Sequence, residues 1–553
     1  MQEQERIIIL GAGTMQGPAI RIARELGFFT VVLDGSSSAP CVTMADRFEQ
    51  IDLKDKEGIE AFALSLRDGP GGLGGIMTAG TDFSATVAWV AERLGLPGIP
   101  YETALNASDK GRMRSCFKKA GLPSPEFITI TAVDELDGGT GGIALPAPFP
   151  LVVKPVDNMG GRGCRRVNDM GEFHEAAADA LRFSRSGRAI VEAFMEGPEF
   201  SVDAIVYHGE IFICGLADRH IFFPPFFIEM GHTMPSQVSE ERQRAILETF
   251  CAGVRALGLA DGENIGAAKG DIKLTPTGPM IGEIAARLSG GYMSGWTYPY
   301  SSGVEPIRAA ILAAMGRKPG DLAPPKAWTS AERAFVSIPG TVKAIVGTEA
   351  ARNTPHVRDL FLRTGEREKV SFPENNVSKC GNIISAAPDR ATAVEAAENA
   401  VRAILIRLDP ADLETAEFLL GGGNGETFPP SAFGLDPELR ALLSALPETV
   451  ATALPEGLDG KKPVFLVPFP EFAASGLVDY LGRSVAESLA AVRELTGLSL
   501  PEIATLNVIE NANVSDNKSI CLGKSFWASL AMGGYQGAVY YVDRLLDNRP
   551  ISY

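Results

Sequence analysis

The chain has 553 residues, a formal charge of −17, 45% hydrophobic and 22% charged residues. Such a length exceeds what one hydrophobic core serves and predicts about three or four domains. The charge leaves no general basic field, which argues against nucleic acid or a membrane surface as a partner, so anionic ligands require local basic sites.

Acidic residues precede the short apolar run in MQEQERIIILGAG, so no secretory signal is expected. No apolar run approaches the about 20 residues of a membrane span. Seven scattered cysteines (41, 116, 164, 214, 251, 380 and 521) include no C-x-x-C pair, and a reduced, cytoplasmic protein is expected. Residues 6–34 then read as strand, glycine turn, helix and strand: RIIIL, GAGTMQG, PAIRIARELG, FTVVLD. This is a βαβ unit, and with GGIMTAGTD and ATVAWVAERLGLPGIP it predicts a small doubly wound α/β domain over 1–105. The glycines approach a dinucleotide fingerprint, but the third position is Gln16, and Gly17 comes one place late.

From Ala104, Ser108 or Asp109 caps an expected helix with Lys110 in its first turn, ended by Gly121 and Pro123. After a Gly/Pro-rich link, GGTGGIALPAPFP, comes LVVKPVDNMGGRGCRRV, in which a strand delivers Lys154 and a loop carries Gly160, Gly161 and Gly163. Glycines let backbone N–H groups close on phosphate oxygens, and a lysine adds a mobile charge. The stretch predicts a nucleotide-triphosphate clamp, against the plain alternative of a surface hairpin with an ordinary lysine. A helix near 171–186 and the strand AIVEAF follow.

In order, these motifs and those of IVEAFMEGPEFSVDAIV and GDIKLTPTGPMIGEIAARLSGG resemble the ATP-grasp superfamily over about 1–410, in particular its carboxylate–amine ligases. The resemblance implies an α/β fold: a pre-ATP-grasp domain over 1–105, an ATP-grasp domain of two α+β subdomains over 106–325, and a C-terminal lid domain over 326–410. An accessory α/β region of unassigned role is expected over 411–553. Lys110 and Lys154 would contact ATP under the glycine cover, Glu192, Ala193 and Phe194 would face the adenine edge, and Glu199 the ribose. Asp271 and Glu283 lie in strands joined by the turn TPTGP, so a hairpin can bring both carboxylates to one Mg2+, with Mn2+ as an alternative. The family pattern Glu-x-Asn-x-Arg reads Glu283, Ile284, Ala285, Ala286, Arg287 here, without its asparagine. Arg287 suits charge developing on a transferred phosphoryl group.

The aromatic segment DRHIFFPPFFIEMGHTMPS resembles a substrate-side segment of amino-acid ligases, with His232 facing the acyl acceptor. Ser289, Gly290 and Gly291 would line the same cavity. From 411 the resemblance stops; LGKS at 522–525 invites a phosphate-loop reading, but Lys518 stands where that motif needs glycine. The implied activity is ATP-dependent activation of a small-molecule carboxylate as an acyl phosphate and its capture by an amine. A bicarbonate-dependent carboxylase is one alternative, and a regulatory or scaffold protein that binds ATP without turnover is another. Symmetric homodimers are the general expectation for soluble enzymes.

Overall fold

The computed structural model describes residues 4–136, 144–421, 428–448, 464–498 and 520–547; Lys518 and part of the expected link lie outside them. The chain groups into two compact units, one of residues 1–333, 374–376 and 384–395, the other of 334–373, 377–383 and 396–553. Among the described residues no helix is long and apolar enough to cross a membrane.

The first unit begins with strand β1 (Arg6–Leu10), helix α1 (Gly17–Glu25), β2 (Phe29–Asp34), β3 (Arg47–Gln50), α2 (Lys56–Arg67), β4 (Leu73–Thr78) and α3 (Ser84–Leu94). The strands form a parallel sheet of order β3-β2-β1-β4. Ile7 to Leu10 are all fully buried, because a strand covered on both faces needs a continuous apolar run. The glycine turn after β1 is filled from within. The buried Gln16 amide accepts from Gly13 N (3.0 Å) and donates to Ala79 O, and Asp34 Oδ2 accepts from Ala12 N (2.8 Å). Gln16 thus occupies the hollow that glycine leaves open in a dinucleotide loop, which is why the near-fingerprint is not one.

Helices α4 (Tyr101–Ser108) and α5 (Lys110–Lys119) follow, and Asp109, not Ser108, caps α5 by accepting from Arg112 N. Next come β5 (Phe127–Ile130), β6 (Leu151–Pro155), β7 (Arg165–Val167), α6 (Met170–Phe183) and β8 (Ala189–Ala193). These strands make an antiparallel sheet of order β5-β8-β6-β7. Leu151 and Val153 point from β6 into a core with Phe173, Ala176 and Ala180 of α6, so alternation turns Val152 and Lys154 to the opposite face.

A larger antiparallel sheet comprises β9 (Glu199–Tyr207), β10 (Glu210–Phe222), β11 (Ile228–Met234), β12 (Ile265–Thr275) and β13 (Gly278–Ala285), with α7 (Glu240–Ala256) packed on it. Its order is β13-β12-β9-β10-β11, continued by β14 (Thr329–Phe335). Helices α8 (Tyr298–Ser301) and α9 (Pro306–Ala314) lie between β13 and β14, and α9 shares a core with α1.

In the second unit the strand Gly340–Val346 pairs with Leu405–Leu408 and with Lys369–Val370. Leu405 belongs to the same core as Phe433, Phe469, Phe472 and Trp527, so stretches that the sequence separates at 410 share one interior. The helix Lys524–Leu546 begins at the LGKS stretch. Its first turn is capped by Glu448, whose Oε2 accepts from Ser525 N (3.0 Å) and Ser525 Oγ (2.9 Å). A carboxylate therefore holds the place a phosphate would take. Trp527 is fully buried and donates Nε1–H to Val467 O (2.7 Å). Trp527→Ala is expected to cost about 3–5 kcal/mol of stability in this unit, measurable by denaturant unfolding.

Candidate functional site

Three elements converge on one carboxylate. Glu192 of β8, only 2% exposed, receives Arg114 Nε of α5 on Oε1 (2.7 Å) and Lys154 Nζ of β6 on Oε2 (2.7 Å). Arg114 also donates to Ile281 O (3.0 Å) and Gly282 O (2.6 Å), tying α5 to β13. Burial alone would raise the Glu192 pKa, but Arg114 and Lys154 outweigh it and hold it at about 2. The side chain expected at the adenine edge is thus enclosed between two cations. Ala193 N donates to Glu126 O (3.0 Å) and Phe194 N to Pro150 O (3.3 Å), while the Phe194 ring stacks near Phe227 and under Arg166.

Lys110 joins this cluster to the opposite wall. It is 7% exposed, donates Nζ–H to Asn158 O in the glycine loop (2.9 Å) and lies 3.4 Å from Glu283 Oε1. Burial works against its charge, but Glu283 and Asp82 more than compensate and raise its pKa. In the loop, Gly160, Gly161 and Gly163 all have positive φ (71°, 76° and 67°), where a side chain would be strained. Asn376 N donates to Gly160 O (2.8 Å), and its Oδ1 accepts from Glu229 N (2.7 Å), linking the loop to β11.

On the facing hairpin, Asp271 of β12 and Glu283 of β13 are register partners. Asp271 Oδ1 accepts from Ser201 Oγ (2.8 Å), and Oδ2 meets Arg219 Nη1 (3.0 Å) and Lys269 Nζ. Burial would raise its pKa, yet Arg219 and Lys269 hold it at about 2; Glu283 is also lowered, burial being outweighed by Lys110 and Lys154. Arg219 additionally binds Glu199 Oε1 (3.1 Å) and Glu229 Oε2 (2.8 Å), so Glu199, expected at the ribose, is held in an ion pair. Two ionised carboxylates suit a hard cation such as magnesium, which takes oxygen ligands and keeps waters. Among the described residues no group of three or more His, Cys, Asp or Glu gathers for a metal, so phosphate and water oxygens would complete its shell. Ala285, standing in place of asparagine, is the register partner of Lys269.

Beyond the hairpin, His232 of β11 is 1% exposed; its Nδ1 lies 2.7 Å from Glu332 Oε2 and its Nε2 3.6 Å from Glu229 Oε2. His220 is a packed residue, its Nε2 2.9 Å from Thr233 Oγ1. Ser289 uses both N (3.0 Å) and Oγ on Asp203, so it anchors the loop instead of presenting a free hydroxyl. Burial pushes Asp203 up to about 6 despite those hydrogen bonds. The anchored loop approaches its neighbours by backbone. A Cβ on Gly290 would lie 3.3 Å from Gly80 O, and one on Gly291 2.8 Å from Glu229 Oε1 and 3.4 Å from His232 Cε1. Arg287 donates Nη1–H to Leu288 O (3.1 Å), and its buried Nε has no partner among the described residues.

Arg114, Lys269, Arg219, Asp203 and Glu332 are absent from the sequence-derived set. One signal for some of them was available: Lys269, Asp271 and Lys273 alternate with the buried Ala268, Gly270 and Ile272, which places three charges on one strand face.

A family model described as an ATP-grasp domain matches residues 147–294, and one described as L-amino acid ligase C-terminal domain 2 matches residues 333–409. The uncharacterized protein y4rH of Sinorhizobium fredii is 26% identical over 352 residues, 62% of this chain and 70% of that protein. Carnosine synthase 1 of Gallus gallus is 26% identical over 338 residues, 57% of this chain and 36% of that protein. The chain spans well under half the length of the chicken, human and mouse carnosine synthases it matches. Among solved structures, L-amino acid ligase from Bacillus licheniformis superposes with a TM-score of 0.65 at 22% identity, over 74% of this chain and 100% of that one, a likeness of fold.

Because the folded pKa of Glu192 lies below its ordinary 4.5, its contribution to stability is present above about pH 4.5 and is lost as the pH falls toward 2. Glu192→Gln is expected to flatten the pH dependence of unfolding in that window. At neutral pH it should cost about 3–5 kcal/mol, since two cations lose their buried counter-ion; urea unfolding from pH 2 to 7 measures both effects.

Proposed function

We propose, from the premise that the chain belongs to the ATP-grasp superfamily and is of its carboxylate–amine ligase type, that it is an ATP-dependent ligase of amino acids. The observation that carries this is Lys110, which touches both the glycine loop at Asn158 O and the hairpin carboxylate Glu283. The glycine loop, a buried cation and a hairpin carboxylate meet there, an arrangement that supports a clamp for a metal-bound triphosphate. Relatives named for L-amino acids and carnosine bring amino acids to this chain as the substrate class.

In this reading Lys110, Lys154 and the glycine loop hold the triphosphate of ATP, and Asp271 and Glu283 hold magnesium. The metal supplies charge neutralisation on the phosphate oxygens. A substrate carboxylate attacks the γ-phosphorus, ADP leaves, and the resulting acyl phosphate is captured by an amine with release of phosphate. Arg287, whose buried Nε has no partner among the described residues, provides a donor for charge developing during transfer. Most of the acceleration comes from positioning and fixed charge, so no side-chain nucleophile is needed. A cytoplasmic location, where ATP is supplied, belongs to the same reading.

Purified protein given ATP, magnesium and pools of L-amino acids is expected to release phosphate only with particular pools. Tight ATP binding without release in any pool, bicarbonate included, would overturn the ligase reading and favour a regulatory role. Lys154→Ala is expected to weaken ATP binding about tenfold or more, one charge-assisted contact being worth about 1.5–3 kcal/mol; calorimetric titration with a non-hydrolysable ATP analogue measures it.

A further inference from the structure

We propose that Glu332 is a positioning residue for His232, and that His232 is the base which takes a proton from the incoming amine. The proposal rests on the ligase reading above. His232 and Glu332 are register partners on β11 and β14, 1% and 0% exposed, with Nδ1 and Oε2 2.7 Å apart. With a carboxylate oxygen accepting at Nδ1, the imidazole hydrogen is placed on Nδ1 and the lone pair on Nε2. Nε2 lies on the side of Glu229, which pairs with Arg219 and through it with Asp271. It stands 3.6 Å from Glu229 Oε2, beyond hydrogen-bond length, and the neighbouring Cε1 lies against Gly291.

A strut between two strands needs no charge there. A carboxylate removed from water is destabilising unless it is paired, and well-packed apolar residues would join the strands equally well. A carboxylate behind the far nitrogen of a histidine does two things an apolar neighbour does not: it fixes the tautomer and stabilises the imidazolium that forms on proton uptake.

An alkylammonium gives one N–H proton to His232 Nε2, and the imidazolium keeps its Nδ1–H toward Glu332. The freed nitrogen lone pair attacks the carbonyl carbon of the acyl phosphate. The C–N bond forms, the C–O bond to phosphorus breaks with its electron pair on the phosphate oxygen, and the second N–H proton leaves with the phosphate. His232 then returns its proton to solvent.

Hydroxylamine separates base catalysis from everything else, because it is largely unprotonated at neutral pH and needs no base. The test uses the full chain and the L-amino acid that gives the greatest phosphate release, comparing coupling to an amino-acid amine with hydroxamate formation in wild type, Glu332→Gln and His232→Gln. Expected is a fall of about 100-fold or more in amine coupling for both variants, the size of a lost general base, with hydroxamate formation within about twofold of wild type. If both products fall by the same factor, or neither falls, the proposal is overturned. Should Glu332→Gln not fold, His232→Gln carries the same comparison. A wild type that forms no hydroxamate with any amino acid overturns the ligase reading and this inference with it.

Discussion

The site depends on one buried ion cluster, Arg114–Glu192–Lys154. Through it α5 is bound to β8 and β6, and through the carbonyl bonds of Arg114 also to β13. Removing one partner from such a cluster leaves an uncompensated buried charge, which costs more than an intact cluster contributes. The same cluster fixes where Lys154 ends, since its ammonium is directed by Glu192 to the face of β6 turned away from the α6 core.

Charge balance explains the opposite wall. Asp271, Glu283, Glu199 and Glu229 would repel one another if left alone, and Arg219, Lys269 and Lys110 are placed among them. Arg219 suits this because its planar fork of five N–H donors spreads over three carboxylates at once. An arriving cation with its triphosphate would meet a wall already close to neutral. Asp271 and Glu283 are held ionised by the cations beside them, the state in which carboxylates bind cations.

Much of the architecture was legible because it is written locally. The parallel N-terminal sheet follows from the run Ile7–Leu10, the helix start at Lys110 from Asp109, and the hairpin from TPTGP between two alternating strands. The glycine loop was legible for the same reason, since three positive φ values demand glycine. What stayed hidden depends on register and distance. Nothing near residue 192 in sequence announces Arg114, 78 positions away, nor does residue 232 announce Glu332 across a strand pair formed by segments 100 residues apart. Ser289 shows the converse: a hydroxyl beside two glycines reads as a substrate contact, and in the structure it donates to the buried Asp203. Gln16 shows that a near-motif is best judged by what its odd residue fills.

In the proposed ligase reaction a substrate carboxylate, not water, receives the γ-phosphoryl group. Oxygen-isotope transfer tests this most directly. With an L-amino acid labelled with 18O in its carboxylate, ATP and magnesium in unlabelled water, each phosphate released by productive coupling should carry one labelled oxygen, visible by mass spectrometry. Phosphate released without label would mean that water is the acceptor and would contradict the account.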